Sequence, residues 1–271
     1  MSNTSRKQVV LITGATSGLG RAMSDVFSQK EYIVYGTSRH PNHTNTSFKL
    51  LQLDLRSHQS IIDAVDYVQQ EEGRIDVLIN NAGVGIAGPL EELPEKDMIE
   101  VLQTNLLGLA RTMQLVLPIM RKQGGGKIIN ISSVASEVAL PYRSLYSASK
   151  AAVNRMTESL RMEVAPFGIQ ATSILAGDMR TPINQNRLMS FPSNGSVYQA
   201  VFQRAAKAMN DEVDRGVDPY QIARRIEALV HKKRLRKQYT MGKPLQQLAV
   251  FLARAMPGNL FERLLRTYSK V

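Results

Sequence analysis

Short apolar runs alternate along this chain with longer stretches of helical periodicity. Runs at Val9–Thr13, Tyr32–Ser38, Phe48–Asp54, Val77–Asn80, Lys127–Ser132, Ile169–Leu175 and Lys237–Met241 predict seven strands. Helical patterns separate them, and that alternation predicts βαβ units and a parallel sheet covered on both faces. The helices fall near Gly18–Gln29, His58–Glu71, Lys96–Lys122, Ser144–Pro166 and Pro219–Lys233. The last of these has Asp218 as N-cap and Pro219 in its first turn, and its basic end suits the negative pole of the helix dipole. The fold class is therefore α/β, doubly wound, with a seven-stranded parallel sheet.

Two regions depart from the alternation. Asp178–Val217 is a long excursion with turn signals at Thr181-Pro182, Phe191-Pro192 and Asn194-Gly195, and it reads as a substrate loop or lid over residues 178–217. After Gly242, residues 243–271 form a helical tail in two segments separated by Pro257-Gly258. Residues 1–271 are expected to make one domain. The tail interleaves Leu, Phe and Met with arginines, a pattern open to three readings: lying on an anionic membrane, covering a pocket, or packing on the core.

Composition narrows the chemistry. Hydrophobic residues at 43% provide a sizeable core, and the absence of cysteine excludes disulfides, thiolate metal sites and cysteine nucleophiles. No metal site is expected. The net charge of +11 reads mostly as solvated surface, concentrated at His231–Lys237 and at Arg254, Arg263, Arg266 and Lys270. No groove-reading or base-stacking motif accompanies it, so nucleic-acid binding is not expected. Met1–Gln8 is polar and basic, and the following apolar run is too short for a signal peptide or a span, which points to the cytoplasm.

The first strand runs into Thr13-Gly14-Ala15-Thr16-Ser17-Gly18-Leu19-Gly20, and a helix follows. Glycines there let the backbone approach a pyrophosphate whose charge sits against the helix N-terminus. The spacing resembles the T-G-x-x-x-G-x-G of the short-chain dehydrogenase/reductase family. Further matches follow in order: Asn80-Asn81-Ala82-Gly83 after the fourth strand, Asn105 in a long helix, Ser133 at the end of the fifth strand, and Tyr146-Ser147-Ala148-Ser149-Lys150 as Y-x-x-x-K. The resemblance covers residues 9 to about 181 and implies a Rossmann-type fold.

Tyr146 and Lys150, four residues apart, share one helix face. A cation beside a phenol, whose ordinary pKa is about 10, lowers it toward a useful range for proton exchange. Tyr146 would then act as general acid to a forming alkoxide or as general base to an alcohol. The resemblance implies that Ser133, rather than its neighbour Ser132, orients the carbonyl. It further implies that Asn105 distorts its helix and supports a water relay, and that Lys150 contacts the nicotinamide ribose.

The second strand ends at Ser38-Arg39 with no carboxylate, so Arg39 can meet a 2′-phosphate, with Ser17 and Ser38 adding neutral donors. NADP(H) is the expected cofactor. By resemblance, Asp54 and Leu55 border the adenine, and Asn81, Ala82 and Gly83 line the cofactor's path. Where the family has Pro-Gly this chain has Ala176-Gly177, leaving Gly177 in place, and Thr181 stands at the family's threonine position.

Substrate choice is expected from Asp178–Val217, Val84–Leu90 and Leu140-Pro141-Tyr142, all carrying apolar side chains. The chain is most similar to hydroxysteroid and retinol dehydrogenases and lipid ketoreductases, which implies a hydrophobic ketone or alcohol as small-molecule partner. The family also implies a homodimer or homotetramer formed through the two long helices. A non-catalytic NADP-binding regulator of the same fold is the competing reading, and the intact Ser133, Tyr146 and Lys150 argue against it.

Overall fold

The computed structural model of the protein describes residues 6–41, 46–181 and 187–269. Met1–Ser5 of the basic start, the expected turn residue Pro182, and Lys270 and Val271 of the tail lie outside the described residues. Seven parallel strands form the sheet: β1 (Gln8–Ile12), β2 (Tyr32–Ser38), β3 (Lys49–Gln52), β4 (Val77–Asn80), β6 (Gly126–Ser133), β7 (Ile169–Ala176) and β9 (Gln238–Met241). Their spatial order is β3-β2-β1-β4-β6-β7-β9. The order reverses between β1 and β4, so connections leave in opposite directions there and open a crevice beyond the strands' C-terminal ends.

Side-chain alternation along β1 divides the core. Val10 and Ile12 join Leu19, Met23 and Phe27 of α1 (Gly18–Ser28) and Ile222, Ala223 and Ile226 of α7 (Pro219–Val230) on one face. Val9 and Leu11 join α2 (His58–Glu72), α4 (Leu109–Lys122) and α5 (Ser144–Val164) on the other. Each fully buried aliphatic side chain in these layers contributes roughly 1.5–3 kcal/mol. The doubly wound, Rossmann-type reading of the sequence is the architecture found.

The helix expected over Lys96–Lys122 is broken into α3 (Glu95–Leu102), a π-helical turn at Gln103–Gly108, and α4. A two-residue parallel pair not anticipated from the sequence, β5 (Ile86–Ala87) with β8 (Leu188–Met189), ties the loop after β4 to the long excursion. That excursion also holds α6 (Gln199–Asp214).

The tail forms α8 (Pro244–Ala255) and α9 (Gly258–Ser269). Val250 is buried with Val138 and Leu175, and Phe261 and Leu265 pack against the same cluster, so the tail closes the end of the sheet beside β7. Its outer side leaves Leu245, Leu248, Phe251, Leu260 and Leu264 exposed. Among the described residues no helix is long and apolar enough to cross a membrane.

Candidate active site

The crevice at the strand ends is a cleft of about 610 Å³, running from Arg39 and Asp54 at one end to Tyr146, Gly177 and Leu188 at the other. Of the residues singled out in the sequence, Gly14, Ser17, Gly18, Leu19, Ser38, Arg39, Asp54, Leu55, Asn81, Ala82, Gly83, Ser133, Tyr146, Lys150, Gly177 and Thr181 line it. Gly20 and Asn105 do not. They lie behind the wall and hold it in shape.

The glycine turn is braced from beneath. Gly14 has φ +69°, and a Cβ there would meet the Ala82 Cα at 2.9 Å, while a Cβ on Gly20 would meet the Gly14 carbonyl oxygen at 1.9 Å. A side chain at Gly14 would push the turn off Ala82, and one at Gly20 would push α1 away from the turn. Asn81 Nδ2 donates to the carbonyls of Thr13 and Gly14 at 3.0 and 3.1 Å, and Thr13 Oγ1 accepts from the Asn81 and Ala82 amides at 2.9 and 3.0 Å. The N-cap of α1, Ser17, is extended and its side chain caps nothing. First-turn N–H groups therefore face the cleft, a cradle suited to an anion.

At the end of β2, Arg39 lines the cleft and makes no ion pair among the described residues. Asp54 is engaged elsewhere: hydrogen bonds from Arg56, at 2.7 Å from Nη2 to Oδ2, hold its carboxyl below the usual carboxylate range. No carboxylate on β2 competes with an arginine–phosphate contact there.

The C-terminal ends of β6 and β7 and the first turns of α5 gather the other cluster. Ser133 closes β6 opposite Ala176 of β7, and its Oγ accepts from the Ala135 amide at 3.1 Å. Tyr146 and Lys150 lie on the first turns of α5, with Lys150 Nζ 5.9 Å from the phenol ring centroid. Lys150 is buried and donates to the Ile131 carbonyl at 2.9 Å.

These contacts correct one expectation. The phenol was expected to be lowered by Lys150. Instead burial pushes it up, opposed by a hydrogen bond with Ser133 and by the positive charge of Arg143 and Arg187. Burial also draws Lys150 down to about 8. In a water-poor wall each group resists its own charge, and the ammonium points to a carbonyl rather than to the phenol. The arrangement keeps the phenol protonated and the amine close to exchange at neutral pH.

Asn105 sits at the centre of the π-helical turn and is fully buried. Its Oδ1 accepts from the Val84 amide at 2.8 Å, and its Nδ2 donates to the Val84 carbonyl at 2.9 Å and to Ser149 Oγ at 3.2 Å. Pairing with that backbone ties the loop after β4 to the helix of Tyr146, and the local π-turn brings the amide into reach. A Cβ on Gly83 would lie 3.1 Å from Asn105 Oδ1 and 3.4 Å from Lys150 Nζ, so this glycine keeps the three together.

Gly177 and Thr181 close the cleft from the β7 side. A Cβ on Gly177 would meet Gln246 Oε1 at 2.1 Å, and Gln246 Nε2 donates to Asp178 Oδ2 at 2.5 Å, so α8 clamps this turn. Thr181 lies against the phosphate turn, 3.2 Å from where a Gly18 Cβ would stand.

The three segments expected to select substrate come together. Gly88 N–H donates to the Tyr142 carbonyl at 3.0 Å, and the Tyr142 and Phe202 rings meet edge to face at 5.3 Å. Val84, Ile86 and Leu188 give the cleft an apolar wall. The sequence reading missed Arg143, Asp178 and Arg187 on this wall, together with the Gln246 clamp. Arg143 carried a signal: it stands as N-cap of α5, where a cation opposes the helix dipole.

Comparison with known proteins adds four findings. The family model described as short chain dehydrogenase matches residues 8–190. The chain is 37% identical over 262 residues to 3-ketodihydrosphingosine reductase of Bacteroides thetaiotaomicron, covering 96% of this chain and 97% of the relative. It is 32% identical over 282 residues to dehydrogenase/reductase SDR family member 7B of Bos taurus, covering 98% and 82%. The crystal structure of a short-chain dehydrogenase from Streptomyces avermitilis superposes with a TM-score of 0.79 at 27% identity, covering 94% of this chain and 97% of that one.

Proposed function

The chain belongs to the short-chain dehydrogenase family, and on that premise we propose that it is an NADP(H)-dependent oxidoreductase interconverting a hydrophobic ketone and its secondary alcohol. The observation that carries this reading is the Tyr146 phenol beside Ser133 and Lys150, in one cleft with the glycine turn.

The uncapped start of α1 and the braced turn at Gly14 fit a pyrophosphate, held by Gly14, Ser17, Gly18, Leu19 and Thr181. Ser38 and Arg39 would take the 2′-phosphate, and Asp54 and Leu55 would border the adenine. Asn81, Ala82, Gly83, Lys150 and Gly177 line the remaining path. When bound, the reduced nicotinamide supplies hydride to the carbonyl carbon. Ser133 orients the carbonyl, and Tyr146 gives its proton to the carbonyl oxygen as charge develops there. Lys150 and Asn105 hold the route by which that proton is replaced.

The apolar wall of Val84, Ile86 and Leu188 supports a hydrophobic substrate, as does similarity to a protein named for reduction of a sphingoid ketone. Association as a homodimer or homotetramer through the 95–122 helices and α5 belongs to the same proposal, supported by Leu107 and Met162 exposed there. The outer face of the tail, with Phe251 and Leu264 among Arg254, Arg263 and Arg266, suits a peripheral contact with an anionic membrane by a cytoplasmic protein.

NADPH oxidation against a panel of steroid, retinoid, sphingoid and fatty ketones tests the reading. Turnover of at least one class with NADPH preferred over NADH is the expected result, and NADPH binding without turnover of any would favour the regulator instead.

A further inference from the structure

Two arginines share the cleft with Tyr146. Arg143 and Arg187 line the cleft with Tyr146, and neither makes an ion pair among the described residues. Arg143 Nε is enclosed and has no hydrogen-bond partner among the described residues. Arg187 spends one contact on Asn210 Oδ1, at 3.2 Å, and its stem lies against Gly85, 3.2 Å from where a Cβ would be. Burial and the charge of Arg143 draw the Arg187 guanidinium down to about 10.

Like charges brought together in a half-buried wall are costly unless something completes them. The carboxylate that acts on both Arg187 and Tyr146 is Asp178, and its Oδ2 already accepts from Gln246 at 2.5 Å. The Tyr268 phenol from the tail approaches the same group of charges and is pushed up to about 12, so it adds no charge at neutral pH. Arg143 also occupies the positive pole of α5, whose first-turn amides have no side-chain cap. Both features add to one positive well. The cofactor's phosphates have their own cradle at the glycine turn and Arg39, whereas Arg187 leads into Leu188 on the apolar wall.

We propose that the substrate is a ketone carrying an anionic group, a carboxylate or a phosphate monoester, close to the carbonyl, and that Arg143 and Arg187 hold that group beside Tyr146. This rests on the ketoreductase reading above. The same two cations oppose a ketone bearing a neighbouring ammonium.

The test uses matched pairs with NADPH and the full chain: 3-oxodecanoate against its methyl ester, dihydroxyacetone phosphate against dihydroxyacetone, and 3-ketodihydrosphingosine as the cationic ketone. In the wild type the charged member of at least one pair is expected to lead in kcat/KM by about 10- to 100-fold, the range for a charge-assisted contact. Which pair shows the lead separates carboxylate from phosphate. In Arg143→Gln and Arg187→Gln that ratio is expected to fall toward one, with NADPH affinity, read by its fluorescence, kept. Should Arg187→Gln fail to fold, Arg143→Gln alone carries the test. Equal use of both members in every pair by the wild type, preference for the cationic ketone, or variants that lose NADPH instead of the charge preference would each overturn the proposal. If no ketone is turned over, the ketoreductase reading fails. Binding of decanoate against methyl decanoate then decides on the arginines: selective decanoate binding lost in Arg143→Gln supports them, and no selectivity refutes them.

Discussion

At the phosphate end of the cleft the backbone is locked from below, with Asn81 and Thr13 pinning the glycine turn and Gly20 letting α1 close on it. At the carbonyl end the walls meet through a two-residue strand pair, edge-to-face rings and two arginines without ion-pair partners among the described residues. The first end is made of strand termini and backbone contacts that work for any dinucleotide. The second is made of side chains that a different substrate would require to be different. The two meet at Asn105, which ties the loop after β4 to the helix of Tyr146.

Breaking that junction is expected to have the largest effect on stability. Asn105→Ala removes three hydrogen bonds from a buried side chain and strands the Val84 amide, so we expect a loss of about 2–4 kcal/mol in stability, on the order of 10 °C in Tm. Thermal unfolding reads it. A melting point within a degree of wild type would mean that the junction is not what holds the two ends together.

Changes confined to one end sharpen the contrast. Arg39→Asp would place a carboxylate against the 2′-phosphate of the proposed NADP(H), and the ratio of NADPH to NADH in kcat/KM is expected to drop about 10- to 100-fold. An unchanged ratio would remove Arg39 from the cofactor account. Phe191→Ala has the smallest expected effect. Phe191 is 65% exposed and meets Phe202 edge to face at 5.7 Å, so about 0.5–1.5 kcal/mol of stability is at stake. The KM for ketone should rise while NADPH affinity holds, and a change in both would deny that the ends are separately built.

Sequence reading reached these ends unequally for the same reason. The phosphate end is written in short-range terms, a glycine turn between strand and helix and a basic residue at the end of β2, and at the carbonyl end only the Tyr146–Lys150 pair, one turn apart, is written the same way. Each has local geometry that spacing specifies. The π-turn at Asn105 is not visible as a period, because a one-residue widening leaves the apolar pattern of 96–122 nearly intact. β5 and β8 are too short to show alternation and pair across about a hundred residues. Arg187 lies in an irregular stretch where no periodicity aims a side chain, and only the conflict of Arg143 with the α5 dipole offered a local hint. The expected lowering of Tyr146 failed because spacing placed Lys150 correctly but said nothing of burial, which acts on both groups.

The Tyr146–Lys150 pair is the proposed source of the proton, and kcat/KM for ketone reduction against pH, in wild type and Tyr146→Phe with NADPH affinity measured alongside, tests that role most directly. Lys150 is charged below its pKa of about 8, so wild-type reduction should be full at lower pH and fall as pH rises through about 8, with alcohol oxidation rising over the same range. Tyr146→Phe should keep NADPH and lose on the order of 10²–10⁴ in rate. Reduction that is flat across that range and survives the loss of the phenolic hydroxyl would place the proton donor elsewhere.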